Sequence, residues 1–166
     1  FSDGEDCSLC MPPPNLKPCR RVFFPGCQLG ASDPSLVESA YARLLLDDAE
    51  TGIMLRCCGA PAEWAGDESQ HETSLSEIRA SWVSLGSPEF ILACPTCMEV
   101  FRFHLPDIPV RSLYETLLDI IPANNSLDEP GETADMCTES VYAIFDPCAA
   151  RHDTAVKAAV RRLTVE

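Results

Sequence analysis

The sequence predicts an α/β protein built on a parallel β-sheet, with cysteine loops at the carboxyl edge of the strands. Short β-prone runs alternate with helical patterns of about 10 to 16 residues between residues 21 and 121. Hydrophobic residues make up 46% of the 166 residues, which is enough to bury one sizeable core. Cysteines follow three of the strand candidates within three residues. Strands and helices that alternate in this way form βαβ units with right-handed crossovers.

The strand candidates are short and rich in β-branched, aromatic or other apolar residues. Each is followed by a loop or by a helical pattern. In chain order they are RVFF at 21–24, GIMLR at 52–56, FILA at 90–93 and IPV at 108–110.

The helical segments carry apolar residues at helical spacing and recognisable start or stop signals. Asp33 is a candidate N-cap, with Pro34 at the first helical position, and Gly86 stands where the second long helix should stop. The four predicted helices are DPSLVESAYARLLLDD at 33–48, HETSLSEIRASWVSLG at 71–86, TCMEVFRFHL at 96–105 and SLYETLLDII at 112–121.

The ends of the chain differ in composition from this central region. Residues 1–20 hold three cysteines and four prolines without a periodic apolar pattern, which predicts a loop-like arm. Polar, acidic and turn-forming residues at 122–136 predict a linker. Residues 137–166 then contain a strand candidate, VYAIF at 141–145, and a helix from about Arg151. Because the chain starts at Phe1 and stops within a helical pattern, we expect a fragment of a longer protein.

Charge and hydropathy exclude several classes of partner. With 12 basic and 26 acidic residues the net charge is -14, which disfavours nucleic acid and anionic lipid surfaces. Apolar runs stay well below the roughly 20 residues that span a bilayer. Ten cysteines in a chain able to build a core favour a reducing compartment, where thiols serve as metal ligands or redox groups. The sequence therefore predicts a soluble, cytoplasmic protein.

Five cysteines fall at the ends of the first three predicted strands. The carboxyl ends of parallel strands share one edge of a sheet, where such folds bind ligands. We therefore expect these five thiols to converge, although up to 70 positions separate them in sequence. They are Cys27 after the first strand, Cys57 and Cys58 after the second, and Cys94 and Cys97 after the third.

The adjacent pair Cys57–Cys58 restricts what the thiols can do. A disulfide between neighbours would strain the peptide that joins them. A structural zinc ion takes four ligands, and both members of the pair would have to reach one small ion. An iron–sulfur cluster offers several irons to neighbouring sulfurs, so the pair favours a cluster.

The motifs FFPGC, CCG and CPTC, in that order, resemble the cysteine-rich CCG domain. This domain occurs in one of the subunits of heterodisulfide reductase and in the iron–sulfur subunit of glycolate oxidase. The resemblance covers Val22 to about Leu118, within a predicted domain at 21–121. It implies a noncubane 4Fe-4S cluster, with the vicinal cysteines as bridging thiolates. The implied ligands, which bind both cofactor and metal, are Cys27, Cys57, Cys58, Cys94 and Cys97.

The resemblance further implies a redox module of a larger oxidoreductase. Its partners would be flavoprotein or ferredoxin-type redox subunits, and a disulfide is a candidate substrate. Catalytic residues are not identified by the sequence. A zinc-stabilised interaction module is the alternative from another class, with zinc in place of the cluster, above all in aerobic preparations. The CPTC motif alone would instead indicate a thiol–disulfide redox domain.

The C-terminal segment AIFDPCAARHDTAVKAAVRRL resembles the start of the second CCG repeat that the family usually carries. It also parallels the first copy, but no CCG or CxxC motif follows Cys148. We therefore expect a truncated repeat in which Cys148 is an orphaned ligand. The apolar strand at 141–145 should be buried, either against the first domain or in a second copy of the chain.

The remaining candidates have weaker signals. Cys7, Cys10 and Cys19 form a C-x2-C-x8-C pattern that suits either an upstream metal module or an ordinary arm, and Cys137 lies in the linker without an expected role. His71, His104 and His152 are expected at helix starts or facing solvent. Arg56 could offset the charge of a thiolate cluster. Trp82 is expected in the core and Trp64 against the loop that follows CCG.

Overall fold

The computed structural model describes residues 9–13, 19–121 and 143–164, which form a mixed α/β fold. The predicted fold class is confirmed. A five-stranded sheet runs in the order β1-β3-β2-β4-β5, with β1 antiparallel to β3 and the other neighbours parallel. The strands are β1 Leu9–Met11, β2 Arg21–Phe24, β3 Thr51–Leu55, β4 Glu89–Leu92 and β5 Val110–Ser112.

Strand β1 corrects the prediction that the N-terminal arm has no regular structure. Cys10 pairs with Met54, so the arm adds an antiparallel edge to the sheet. Three residues are too few for a recognisable periodic pattern, and this strand exists because β3 offers it a free edge. The fourth predicted strand is displaced, since β5 begins at Val110 rather than at Ile108.

Helices connect the parallel strands and cover both faces of the sheet. Asp33 caps α2 as predicted, by accepting a hydrogen bond from the backbone N–H of Ser35 at 2.9 Å, and Pro34 opens the helix. Two short helices were not predicted: α1, which contains Cys27, and α3, which follows Cys57 and Cys58. The helices are α1 Gly26–Ser32, α2 Pro34–Asp47, α3 Ala60–Trp64, α4 Glu68–Ser84, α5 Pro95–His104, α6 Leu113–Ile120 and α7 Thr154–Leu163.

The core lies on both sides of β2, the central strand. Val22 and Phe24 face a cluster that includes Phe90 and Phe101, whereas Phe23 faces a second cluster on the opposite side. Val22, Phe23 and Phe24 have no exposed surface. A strand that is apolar on both faces is typical of a parallel sheet covered by helices on both sides. The buried central strand therefore leads directly into Pro25, Gly26 and Cys27.

The C-terminal segment corrects a second prediction. The described part of the predicted strand, residues 143–145, is not a strand, and Phe145 is 83% exposed, so this stretch is not buried against the first domain. Burial in a second copy of the chain stays a prediction. Residues 141–142 and the predicted linker at 122–136 lie outside the described residues. The chain continues through a 3-10 turn, Cys148–Ala150, into α7.

Although its strand is not formed, this segment packs on the domain that precedes it. Ala150, Val156 and Ala159 are buried, and α7 packs against α6. Asp153 caps α7 and also forms an ion pair with Arg102 of α5 at 3.0 Å. That this segment begins a second repeat stays a prediction.

Among the described helices, none is both long enough and apolar enough to cross a membrane.

Candidate metal centre

Three loops at the carboxyl ends of neighbouring parallel strands bring the five cysteines together. Cys27 lies in the first turn of α1, directly after β2, and Cys57 and Cys58 follow β3. Cys94 is the N-cap residue of α5, after β4, and Cys97 lies in the first turn of that helix. Since β3, β2 and β4 are adjacent and parallel, their ends meet at one edge of the sheet.

The thiols contact one another in a chain. Cys58 is in hydrogen-bond contact with both Cys57 and Cys97, and Cys97 also contacts Cys94. Cys27 lies close enough to Cys57 for an electrostatic interaction. Residues from three loops therefore present their sulfur atoms to one small region.

Two of these thiols favour the thiolate form, which is the form that binds metals. Hydrogen bonds from Cys57 and then Cys97, with the backbone N–H of Ala60, lower the pKa of Cys58 to about 3. A hydrogen bond from Cys97 lowers the pKa of Cys94 to about 6, although burial opposes this. The pKa values of Cys57 and Cys97 are raised, first of all because their protons are shared with Cys58.

Exposure varies across the cluster. Cys58 and Cys97 are buried, Cys57 and Cys94 are half-buried, and Cys27 is exposed. A group held by these sulfurs would be anchored from beneath by Cys58 and Cys97. It would be accessible to solvent, or to a partner, on the side of Cys27.

Two glycines let the backbone approach the sulfurs. Gly26 has φ of +77°, and a Cβ atom there would lie 3.1 Å from both Cβ of Cys94 and Sγ of Cys97. Gly59 has φ of +88°, and a Cβ atom there would lie 3.0 Å from Cβ of Ser74. Both positions combine a left-handed backbone with a tight contact, so only glycine fits them without strain.

We expect Gly59→Val to impair metal uptake and to destabilise the apo fold by about 1–2 kcal/mol or more, because the left-handed backbone alone costs that much. Gly30→Val is the matched control, because a Cβ atom at Gly30 meets no atom within 4 Å. Metal content after reconstitution and urea unfolding of the apo protein measure the two effects. Equal behaviour of the two variants would contradict the role assigned to Gly59.

Several residues highlighted by the sequence are not part of this cluster. Arg56 forms an ion pair with Glu77. Cys19 is buried in the core, where its thiol donates a hydrogen bond to the carbonyl oxygen of Arg21 at 3.0 Å. Cys10 and Cys148 are exposed. Cys7 and Cys137 lie outside the described residues.

Two predictions about aromatic side chains near the cluster were wrong. His71 was expected at the surface, but it is only 7% exposed, and its ring stacks edge-to-face on that of His104. Trp64 was expected to pack on the loop after CCG, but it is 72% exposed. Trp82 packs against the core as predicted, and its indole N–H donates to the carbonyl oxygen of Pro88 at 2.9 Å.

A family model described as a cysteine-rich domain, CCG, matches residues 21–102. Residues 21–102 form a CCG domain. The match starts with β2 and ends within α5, so it contains all five clustered cysteines and the three loops that carry them. The resemblance found in the three motifs is thereby confirmed, and the CCG domain with its clustered thiols indicates metal binding. Comparisons with curated proteins and with solved structures gave no match.

Proposed function

We propose that this CCG domain is an iron–sulfur redox module of a larger oxidoreductase. The observation that carries the proposal is the convergence of five thiols, with both members of the vicinal pair included. Five thiols exceed the four ligands of a structural zinc ion. A polynuclear cluster has room for all of them.

The donor set fits a noncubane 4Fe-4S cluster. Its ligands would be Cys27, Cys57, Cys58, Cys94 and Cys97. When bound, such a cluster supplies one-electron redox chemistry. The protein's part is to position the sulfurs, with Gly26 and Gly59 allowing the close approach of the backbone. Backbone N–H groups, among them that of Gly59, 3.5 Å from Sγ of Cys57, stabilise negative charge on the thiolates.

The exposed side of the cluster, near Cys27, is where electrons would enter or leave. Flavoprotein or ferredoxin-type redox subunits are the proposed partners. Two activities fit this arrangement: a relay of single electrons, or the reduction of a disulfide at the cluster. Anaerobic addition of a disulfide to the protein with its cluster reduced separates them. Reduction of one disulfide takes up two electrons and two protons, so it would reoxidise two clusters and release two thiols, in excess of the thiols that exchange with free cysteines releases when the cluster is oxidised. A relay alone would leave the cluster reduced.

Iron and sulfide analysis of anaerobically reconstituted protein tests the proposal. We expect a brown protein with about four irons per chain and broad visible absorbance. One tightly bound zinc ion without a chromophore would refute it. Aerobic preparations are unsuitable for this test, because exposed thiolates oxidise.

A dithiol function is the second candidate, and the lowered pKa of Cys94 favours it. Cys94 is half-buried at the start of α5, and its CxxC partner Cys97 lies in hydrogen-bond contact. This arrangement suits thiol–disulfide exchange. A metal-free protein that reduces disulfides through Cys94 after failed reconstitution would support this candidate instead.

A further inference from the structure

A second group of side chains able to ligate a metal lies beside the loop that contains Cys57, Cys58 and Gly59. It is contributed by three helices: Glu63 of α3, His71 of α4 and His104 at the end of α5. One ligand atom from each residue lies within 4.8 Å of the others. The three residues are not adjacent in sequence, so only the packing of the helices brings them together.

His71 provides the strongest evidence that this group binds something. Its Nδ1 lies 3.1 Å from the carbonyl oxygen of Gly59, and because a carbonyl only accepts, Nδ1 carries the proton. Nε2 of the neutral ring is then left with a free lone pair. Within the described part of the chain, this buried Nε2 has no hydrogen-bond partner. Leaving a buried acceptor without a donor lowers the stability of the fold, so a ligand bound to Nε2 would remove this cost.

The contact between Nδ1 and the carbonyl is also the arrangement that supports metal-binding histidines. Such a histidine usually donates its second ring N–H to a carboxylate or a backbone carbonyl, which fixes the tautomer and the ring. At His71 the Gly59 carbonyl has this role, and Nε2 is the atom left to coordinate.

The distances suit a small cation. Nε2 of His104 lies 3.4 Å from Oε1 of Glu63. Two ligand atoms of a tetrahedral zinc ion are about 3.3–3.5 Å apart, because each bond is about 2.0–2.2 Å long. The rings of His71 and His104 pack edge-to-face with centroids 4.8 Å apart, so a ligand nitrogen of each lies within reach of the same small region.

The site is closed on one side and open on the other. His71 is buried, whereas the side chains of His104 and Glu63 are 36% and 43% exposed. Both exposed ligands line an open groove of about 490 Å³ between α3 and α5. A water molecule or a small ligand can therefore occupy a fourth coordination position from that groove.

We propose that Glu63, His71 and His104 form a second metal site, for a divalent cation of the zinc type. Imidazole and carboxylate together suit borderline ions such as Zn²⁺ and Co²⁺. The set of two histidines, one carboxylate and an open position is typical of zinc ions that keep an exchangeable ligand. This site is separate from the thiolates, since Cys97 and His104 are seven residues apart on α5, a rise of roughly 10 Å.

The two sites share a structural element, however. Gly59 belongs to the loop that presents Cys57 and Cys58, and its carbonyl orients His71. An ion bound to His71 would therefore stabilise the loop that positions Cys57 and Cys58. The proposal does not depend on which metal the thiolates hold.

Cobalt(II) is a suitable probe, because X-ray absorption at the cobalt edge separates nitrogen and oxygen ligands from sulfur ligands. The protein is reconstituted anaerobically, desalted and titrated with Co²⁺. We expect one equivalent of cobalt bound by nitrogen and oxygen only. His104→Gln and Glu63→Gln, both at partly exposed positions, should weaken this binding by about tenfold or more.

His152→Gln is the matched control, because His152 is exposed and is not a member of the group. It should bind cobalt like the wild type, and circular dichroism should show that all variants are folded. The proposal is overturned if wild type takes up no cobalt with nitrogen and oxygen ligation, or if His104→Gln binds it as tightly as His152→Gln. If the thiolates hold no iron–sulfur cluster, cobalt bound there is recognised by its sulfur scattering, so the two proposals fail separately.

Discussion

Replacing Cys58 with serine is expected to reduce the iron content of the reconstituted protein from about four atoms per chain to nearly none. Cys58 lies within the chain of thiols, since it contacts both Cys57 and Cys97. It is also buried, so a lost sulfur there cannot be replaced by a ligand from solvent. Cys57→Ser should likewise lower the iron content, because only four of the five thiols that would hold the proposed cluster would remain.

Cys148→Ser is the matched control for both replacements. Cys148 is exposed on the C-terminal segment, and the substitution should leave the iron content of this chain unchanged. Iron and sulfide analysis, together with visible absorbance, provides the measurement. If Cys57, Cys58 and Cys148 tolerate serine equally well, the five-cysteine assignment is wrong. If Cys148→Ser alone removes metal, this segment contributes to the site, and the interpretation as a severed second repeat fails.

Phe24→Ala is expected to lower the free energy of unfolding by about 3–5 kcal/mol. The ring has no exposed surface, and its centroid lies 5.4 Å from that of Phe101 and 6.0 Å from that of Phe90. Truncation would leave a cavity between the central strand and α5, because neither the helix nor the sheet can move far enough to fill the space. Phe24 also ends the strand that leads into Gly26 and Cys27, so metal uptake should fall as well.

Urea unfolding of the reduced protein, followed by tryptophan fluorescence, measures this effect. Leu46→Ala serves as the control, because Leu46 is 82% exposed and its truncation should change stability by less than about 0.5 kcal/mol. A loss at Phe24 no larger than that at Leu46 would mean that this aromatic cluster does not hold the sheet and α5 together.

The carboxyl-edge location of the cysteines could be predicted from the sequence because it depends on few physical facts. Apolar strands that alternate with helices form a parallel sheet, and parallel strands all end on the same side. A cysteine placed within three residues of the end of each strand, as Cys27, Cys57 and Cys94 are, must then lie near that edge. The strands at Arg21–Phe24 and Glu89–Leu92 and the cap at Asp33 were recognisable for a similar reason, since their signals are local.

The errors concern features that depend on contacts between distant segments. Strand β1 forms only because β3 presents an edge to Cys10 and its neighbours. The apolar residues Ile144 and Phe145 suggest a buried strand, but burial also needs a partner surface, and in the described structure both are exposed. A local sequence pattern contains no information about the edge of β3, or about a surface that could cover Ile144 and Phe145.

The sequence alone therefore determined the parallel part of the sheet and the convergence of five thiols, but not the antiparallel edge strand β1. Only the tertiary structure decided that His71 is buried against the Gly59 carbonyl, with Glu63 and His104 beside it. The physical reason is that these residues come from three helices whose mutual packing is set by the core beneath them. Spacing along the chain does not encode that packing, so neither the unpartnered nitrogen of His71 nor the site around it was visible in the sequence.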